Sequence, residues 1–425
     1  MQKKTIIKSI YVSFFFLLLV GINKPIAQTR ISSPYSMYGI GELYFNNNFR
    51  NMGMGGLAIG FQNNTSVNYT NPASYAGLDT NSFVFESAVF SHLYEQNTLD
   101  QNQIANYSSI GNLVFAFPIK KWWSSAFGVT PYSAVGYIVA DRQVHDELGT
   151  INYIYEGEGG IHQAFWGNSF SFLDGFSVGF NTSFLFGNYK DIALVKSDSA
   201  NFYVSNQHRT IQTNGFMLNM GAQYKRVLSP EREWVAGIIF GNTTKLNAEE
   251  TIMNRTYLPG FTVPDTTLNV VNEEGEMNLP LYWGAGFTYK LNQQWMAGAD
   301  FYNQNWESFE MFGENMNLNN MYQIAVGARF SPEQATYSSF LTRANYFAGL
   351  RYKQTYIIHN NYPVDEYGIS VGFNFRLRRS LSGMTFAFEW TNRGDIDNNM
   401  LREDIYRFNI GLNIHEHWFI KRKFY

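Results

Sequence analysis

The chain has no cysteine among its 425 residues. That excludes a disulfide framework, thiol chemistry, a cysteine-ligated metal and an acylated lipoprotein start. Charge is also scarce, at 15% Asp, Glu, Lys and Arg, against roughly a quarter in soluble globular chains. The formal charge of −3 shows no basic excess, so no nucleic-acid partner is expected. Mean hydropathy is −0.24, too polar for a bundle of membrane helices. The spacings HExxH and GxxxxGK[ST] do not occur, and no enzyme and no cofactor are expected. The seven histidines are scattered. His415 and His417 share a strand face without a third ligand nearby, so no metal site is expected.

The one long apolar run is at the start. Lys3, Lys4 and Lys8 precede Ile10–Ile22, a run too short to span a membrane as a helix. We read residues 1–28 as a signal peptide cleaved near Ala27-Gln28, and the mature chain as an exported outer-membrane protein. Losing the leader removes four lysines and no acid, which makes the mature chain more acidic.

Aromatics are abundant, at 17% with 28 Tyr and 37 Phe. From Asn81 onward the sequence has a period of two. Tyr367, Ile369, Val371, Phe373 and Phe375 fall on one face, and Gly368, Ser370, Gly372, Asn374 and Arg376 on the other. Similar alternation recurs at Phe176–Gly187, Phe216–Lys225, Tyr322–Phe330 and Tyr406–Ile414. Apolar-out and polar-or-glycine-in is what the wall of a membrane barrel requires. A secreted soluble β-sandwich would bury its apolar face against a second sheet. Low charge, aromatic excess and the leader favour the membrane, where a β-protein must close into a barrel.

The expectation is an all-β fold: a single 14-stranded antiparallel transmembrane barrel over 81–414, with an aromatic and basic tail at 415–425. Lys120–Ser124, Phe170–Asp174, Leu228–Glu231 and Leu291–Gln294 read as short periplasmic turns. The stretches 93–110, 190–203, 247–266 and 306–320 read as longer outer loops. Ser331–Asn345 is a longer inner connection expected to carry a helical turn. Tyr94, Phe202, Tyr203, Tyr257, Phe261, Trp306, Phe309 and Phe312 would sit in outer loops as a capture surface, a girdle or a protein-binding face. Glu249-Glu250 and Glu273-Glu274 read as solvated, and Glu156 and Glu158 as facing the lumen on a bent strand. Pro131 stands inside the third strand. Proline supplies no ladder N–H, so a barrel strand holds it only at a bulge or break.

Ahead of the strands, residues 29–80 differ in kind. Gly53, Gly55, Gly56 and Gly60 are followed by Asn63, Asn64, Asn68 and Asn71, then Pro72 and Ala73. Such a run allows tight, partly left-handed turns capped by side-chain amides, and close approach to neighbouring walls. It reads as a plug.

Met52-Gly-Met-Gly-Gly-Leu-Ala, Asn63-Asn64 and Asn71-Pro72-Ala73 together resemble the N-terminal hatch of the long-chain fatty acid transporter (FadL-like) family of outer-membrane barrels. PorV-like barrels of type IX secretion share a similar start. The resemblance implies passive uptake of a small hydrophobic or detergent-like molecule through a plugged barrel in the lipid bilayer. It also implies that a third-strand kink, here at Pro131, opens a lateral exit. The PorV-like relatives imply an alternative, a protein-binding subunit of a secretion or barrel-assembly complex with other outer-membrane proteins as partners.

Overall fold

The computed structural model describes residues 33–44, 49–146, 149–198, 202–258, 265–332, 341–377 and 380–417. The leader, the Asn46–Asn48 turn, Phe261, Arg378-Arg379 and the tail from Trp418 lie outside the described residues.

Fourteen long strands form the wall. They are β1 (Ser82–Asn97), β2 (Asn102–Lys120), β3 (Trp123–His145), β4 (Gly149–Phe172), β5 (Phe176–Ser197) and β6 (Val204–Ser229). β7 runs in two segments, Arg232–Gly241 and Thr244–Tyr257, as does β8, Asp265–Leu279 and Tyr282–Leu291. β9 (Trp295–Gln304), β10 (Met321–Phe330), β11 (Ala344–His359), β12 (Tyr362–Arg376), β13 (Gly383–Arg393) and β14 (Arg402–His417) complete the set. Each pairs antiparallel with the next, and β14 pairs with β1 from Arg402↔Asn97 to His417↔Ser82. That last ladder closes the barrel, so no strand lies at a sheet margin along its whole length.

The wall is apolar outside and polar inside. On β12, Tyr367, Ile369, Val371 and Phe373 are exposed, while Glu366, Gly368, Ser370, Gly372 and Asn374 are buried. This inversion of a soluble fold suits lipid outside and packed protein within. Trp122, Trp123, Trp234 and Trp295 cluster by the short turns, where amphipathic rings favour a membrane interface.

The four short turns fall where alternation places them, and a 3-10 turn, Leu341–Arg343, precedes β11. The outer boundaries differ. Residues 93–97 and 102–110 are strand, and the β1–β2 hairpin closes at Thr98, whose N–H donates to Gln101 O at 2.9 Å. Strands likewise continue to Ser197 and Tyr257, and at the inner end β14 reaches His417 instead of ending at Ile414. Beyond the hydrocarbon a strand has no apolar outer face to maintain, so pairing continues after hydrophobic alternation has stopped. The stretch 306–320 is a true outer excursion that folds back inward. Its two-residue strands, Glu310–Met311 and Glu314–Asn315, pair together, and Met311 pairs with Met277 of β8.

Candidate functional site: the luminal segment and a break in the wall

Residues 33–44 and 49–78 pack against the inward face of the wall. On eight successive strands, β5 to β12, an inward-facing glycine meets this segment. Gly179 faces Pro72, Gly221 faces Asn71, Gly237 faces Ile59, and Gly286 faces Gly60. Gly298 faces Leu57, Gly327 faces Met54, Gly349 faces Gly55, and Gly372 faces Gly53. At each position a side chain would meet the segment, in most cases its backbone. The wall glycines thus form a track on which the segment lies with backbone against backbone.

Left-handed geometry is needed at Gly55 and Gly56, with φ of 69° and 87°. Gly55 ends the 3-10 turn Asn51–Met54, and its N–H donates to Ser370 Oγ at 2.9 Å. Gly53 needs no such φ and serves by lacking a side chain opposite Gly372.

The Asn71-Pro72-Ala73 tripeptide is an anchor. Asn71 Oδ1 accepts the Ala73 N–H at 3.1 Å, capping the 3-10 turn Pro72–Gly77, while its Nδ2 donates to Ile59 O at 2.8 Å. Ser169 Oγ of β4 donates to Ala73 O at 3.0 Å. Asn181 of β5 bridges Tyr69 O and the Tyr75 hydroxyl, each at 2.9 Å.

Opposite, buried Asp300 of β9 accepts the backbone N–H groups of Ala58 at 2.6 Å, Ile59 at 2.7 Å and Gly60 at 3.4 Å. Asp300→Ala would leave three buried donors unpaired, at roughly 1–3 kcal/mol each. The expected outcome is protease cleavage between Ala58 and Gly60 in a barrel that still resists. Equal protection in wild type and variant would show that the carboxylate does not hold the segment.

Pro131 sits at a break. β2 and β3 pair from Lys120↔Trp123 to Leu113↔Val129, and their ladder ends there. Beyond it β3 continues to pair with β4, with a register shift between Pro131 and Ser133 that leaves Tyr132 as the extra residue. The proline therefore stands at a bulge, which relieves it of a ladder N–H. On the side β2 has left, β3 pairs with the luminal segment: Ala134 with Glu42 and Ser133 with Leu43. Tyr44 N–H donates to Tyr132 O at 2.8 Å, and Ser33 N–H to Gly136 O at 3.0 Å. Behind the break lies an aromatic group of Tyr44, Phe49, Phe90 and Tyr107. At the outer rim beside it is a largely apolar pocket of about 400 Å³, lined by Tyr35, Met37, Ile138, Val139 and Leu401 among others.

Glu42 also ties this strap into a buried charge cluster. It receives Arg393 at 2.9 Å, Arg407 at 3.0 Å and the Tyr94 hydroxyl at 2.7 Å. Arg393 also reaches Glu366 at 2.7 Å and Glu403 at 3.3 Å, while Glu389 receives Arg351 at 2.6 Å and Arg407 at 2.7 Å. Lys353 lies 3.9 Å from Glu366. The four acids Glu42, Glu366, Glu389 and Glu403 thus face the four cations Arg351, Lys353, Arg393 and Arg407. Matching of this kind is what makes buried charge tolerable.

Several expected surface residues are interior. Tyr94, Trp306 and Phe309 are fully buried, and Trp306 stacks on Tyr356 at 4.4 Å. Tyr94 holds an inward position of β1, whereas Trp306 and Phe309 lie in the outer excursion, where no periodicity shows which way a side chain folds. Phe202 and Tyr203 are exposed. Glu250 is buried on β7 and paired with Arg209 at 2.5 Å, whereas Glu249 is half-buried and Glu273 and Glu274 are exposed on strands. Glu156 and Glu158 face outward, Glu158 lying 3.6 Å from Lys190, because the inward positions of β4 are the odd-numbered ones. His415 Nε2 lies 3.7 Å from Asp79. Among the described residues no group of three His, Cys, Asp or Glu could hold a metal ion.

The fold is that of FadL-type channels. The Pseudomonas putida toluene transporter TodX aligns with a TM-score of 0.58 at 13% identity, over 92% of this chain and 100% of that one. The CymD monoaromatic hydrocarbon channel aligns at 0.56 and 12% identity, over 89% and 99%. A Pseudomonas aeruginosa FadL homologue aligns at 0.55 and 13%, over 88% and 98%. Among curated proteins the sequence has no significant match. The family model described as BamG matches residues 6–425, and the chain belongs to the BamG family.

Proposed function

We propose that this protein is an outer-membrane barrel that takes up small hydrophobic molecules at its outer rim and releases them sideways into the membrane. Residues 33–78 act as its plug. The reading is carried by the end of the β2–β3 ladder at Pro131 beneath the apolar pocket of about 400 Å³. Cargo passing there need not cross the packed lumen. The strap Glu42–Leu43 must yield for it to leave, which makes it the gate. Diffusion down a gradient needs no nucleotide and no cofactor.

The test is uptake of an aromatic hydrocarbon by cells carrying wild type or Pro131→Val, which lets β3 donate a ladder N–H. Uptake should fall severalfold in the variant while the folded barrel remains at equal level. An unchanged rate would remove the lateral route.

A second reading makes the barrel a protein-binding subunit of an outer-membrane secretion or assembly complex. Its support is the lumen itself: the glycine track and the charge cluster fix the segment at many points, as in a scaffold. Native mass spectrometry of gently extracted protein separates the two readings. A lipid-sized adduct on a lone chain favours transport. A stoichiometric protein companion without small ligand favours the scaffold.

A further inference from the structure

The break at Pro131 leaves two strand margins, and among the described residues only one is covered. β3 has the strap Glu42–Leu43 along it. On the other side, β2 from Asn102 to Asn112 pairs with β1 alone. Every second residue of this stretch turns its N–H and C=O toward the gap, and among the described residues no hydrogen bond to another strand meets them there.

Free strand margins are normally protected by lysine, proline, inward charge or a bulge, and here the bulge at Gly111 marks only the inner end of the margin. The stretch NQIANYSSIGN, residues 102–112, has neither proline nor any charged residue. Its outward side chains, Ile104, Asn106, Ser108 and Ile110, are uncharged, and the two isoleucines are 73% and 66% exposed. Asn106 stands opposite Leu93, which itself stands opposite Tyr406 on β14, an outward aromatic toward the outer end of the wall. The lower part of the margin therefore faces hydrocarbon, where unpaired backbone groups cost several kcal/mol each.

We propose that this margin is a strand-addition site for a partner protein: an extended, uncharged segment of another chain pairs antiparallel with β2 between Asn102 and Asn112. The inference rests on the protein-binding reading above and names its surface. Main-chain hydrogen bonds supply the affinity, and alternate side chains the choice of segment. Outward positions of the incoming strand match Ile104 and Ile110 and are apolar. Its inward positions are small, because Tyr44, Phe49 and Tyr107 already fill the space behind the gap. The strap on β3 shows that strand addition at this opening is sterically feasible.

The test is amide hydrogen exchange of the protein in its gently extracted native complex and again after companions are stripped, with Ile104→Lys/Asn106→Lys as the variant. Both substituted side chains are exposed, so the barrel should fold and stay heat-modifiable on gels. Amides of residues 102–112 should exchange about a hundredfold more slowly in the complex, and the variant should lose its companion. If a companion is present but these amides exchange equally fast with and without it, the site is wrong while the protein-binding reading stands. If they are equally slow in the stripped chain, the protein closes its own gap and the proposal fails. If the companion is a second copy of this chain, the foreign strand is ruled out. If no companion is found, the protein-binding reading falls with it.

Discussion

Gly349→Val should expel the luminal segment while leaving the wall intact. Valine is among the residues best suited to a strand, and Gly349 sits in regular ladder between Gly327 of β10 and Ser370 of β12. The outward face and both ladders are therefore untouched. On the inner side the new Cβ would overlap the Gly55 nitrogen and the Met54 carbonyl carbon, which are backbone and cannot rotate away. Overpacking of this kind costs about 1–3 kcal/mol, and the Gly55 N–H bond to Ser370 is lost as well. Gly237→Val adds a second obstruction, against Ile59 O and Asn71. In planar bilayers the double variant should conduct as an open pore where wild type is closed, and cells carrying it should admit large polar antibiotics. Heat-modifiability on gels checks that the barrel survives. An intact barrel with wild-type conductance would mean that the segment is not what closes the lumen.

That experiment also marks where sequence reading ends. The wall was legible because lipid imposes one rule on every strand: Tyr367, Ile369, Val371 and Phe373 must face outward whatever lies within. Inner turns were legible for the same reason, since alternation stops abruptly at Lys120 or Leu291. Outer ends were not, because strands protruding beyond the hydrocarbon are polar on both faces. The hatch motif points to residues 29–80 as a plug, and its glycines suggest close approach to a wall. Which wall glycine opposes which plug residue depends on strand register and barrel curvature, and no local pattern records either.

The charge cluster was missed for a related reason. Glu366, Glu389, Arg393 and Arg407 read only as polar inward positions on three strands, and the register between β12, β13 and β14 brings them together. Asp300 was findable. It is the single acid in the otherwise uncharged strand Trp295–Gln304, and an isolated inward carboxylate calls for a partner.

The strap should depend most on Glu42. Burial alone would raise its carboxyl pKa, but the Arg393 and Arg407 guanidiniums hold it well below the usual carboxylate range. Glu42→Gln leaves four buried cations facing three acids. Removing one partner of a buried ion pair typically costs about 3–5 kcal/mol. That exceeds what the two-residue pairing with Ser133 and Ala134 can supply at roughly 0.5–1.5 kcal/mol per hydrogen bond. The strap should therefore leave β3, and the Ala134 and Gly136 amides should exchange much faster than in wild type. Because the folded carboxyl pKa is depressed, its contribution is present in full above the unfolded value of ~4.3 and is lost only as pH falls through the lower folded value. In wild type, the part of this protection that Glu42 supplies should be flat from neutral pH down to about pH 5 and weaken only in stronger acid. In Glu42→Gln that acid-dependent step should disappear. Under the transport reading the same variant should pass hydrophobic cargo faster, because the gate no longer has to open. If protection at Ala134 survives the substitution, the aromatic group of Tyr44 and Phe49 holds the strap and Glu42 only balances charge. Arg393→Gln combined with Glu42→Gln separates these cases: recovery of protection in the double variant identifies the unpaired cation, and not the lost carboxylate contact, as what drives the strap away.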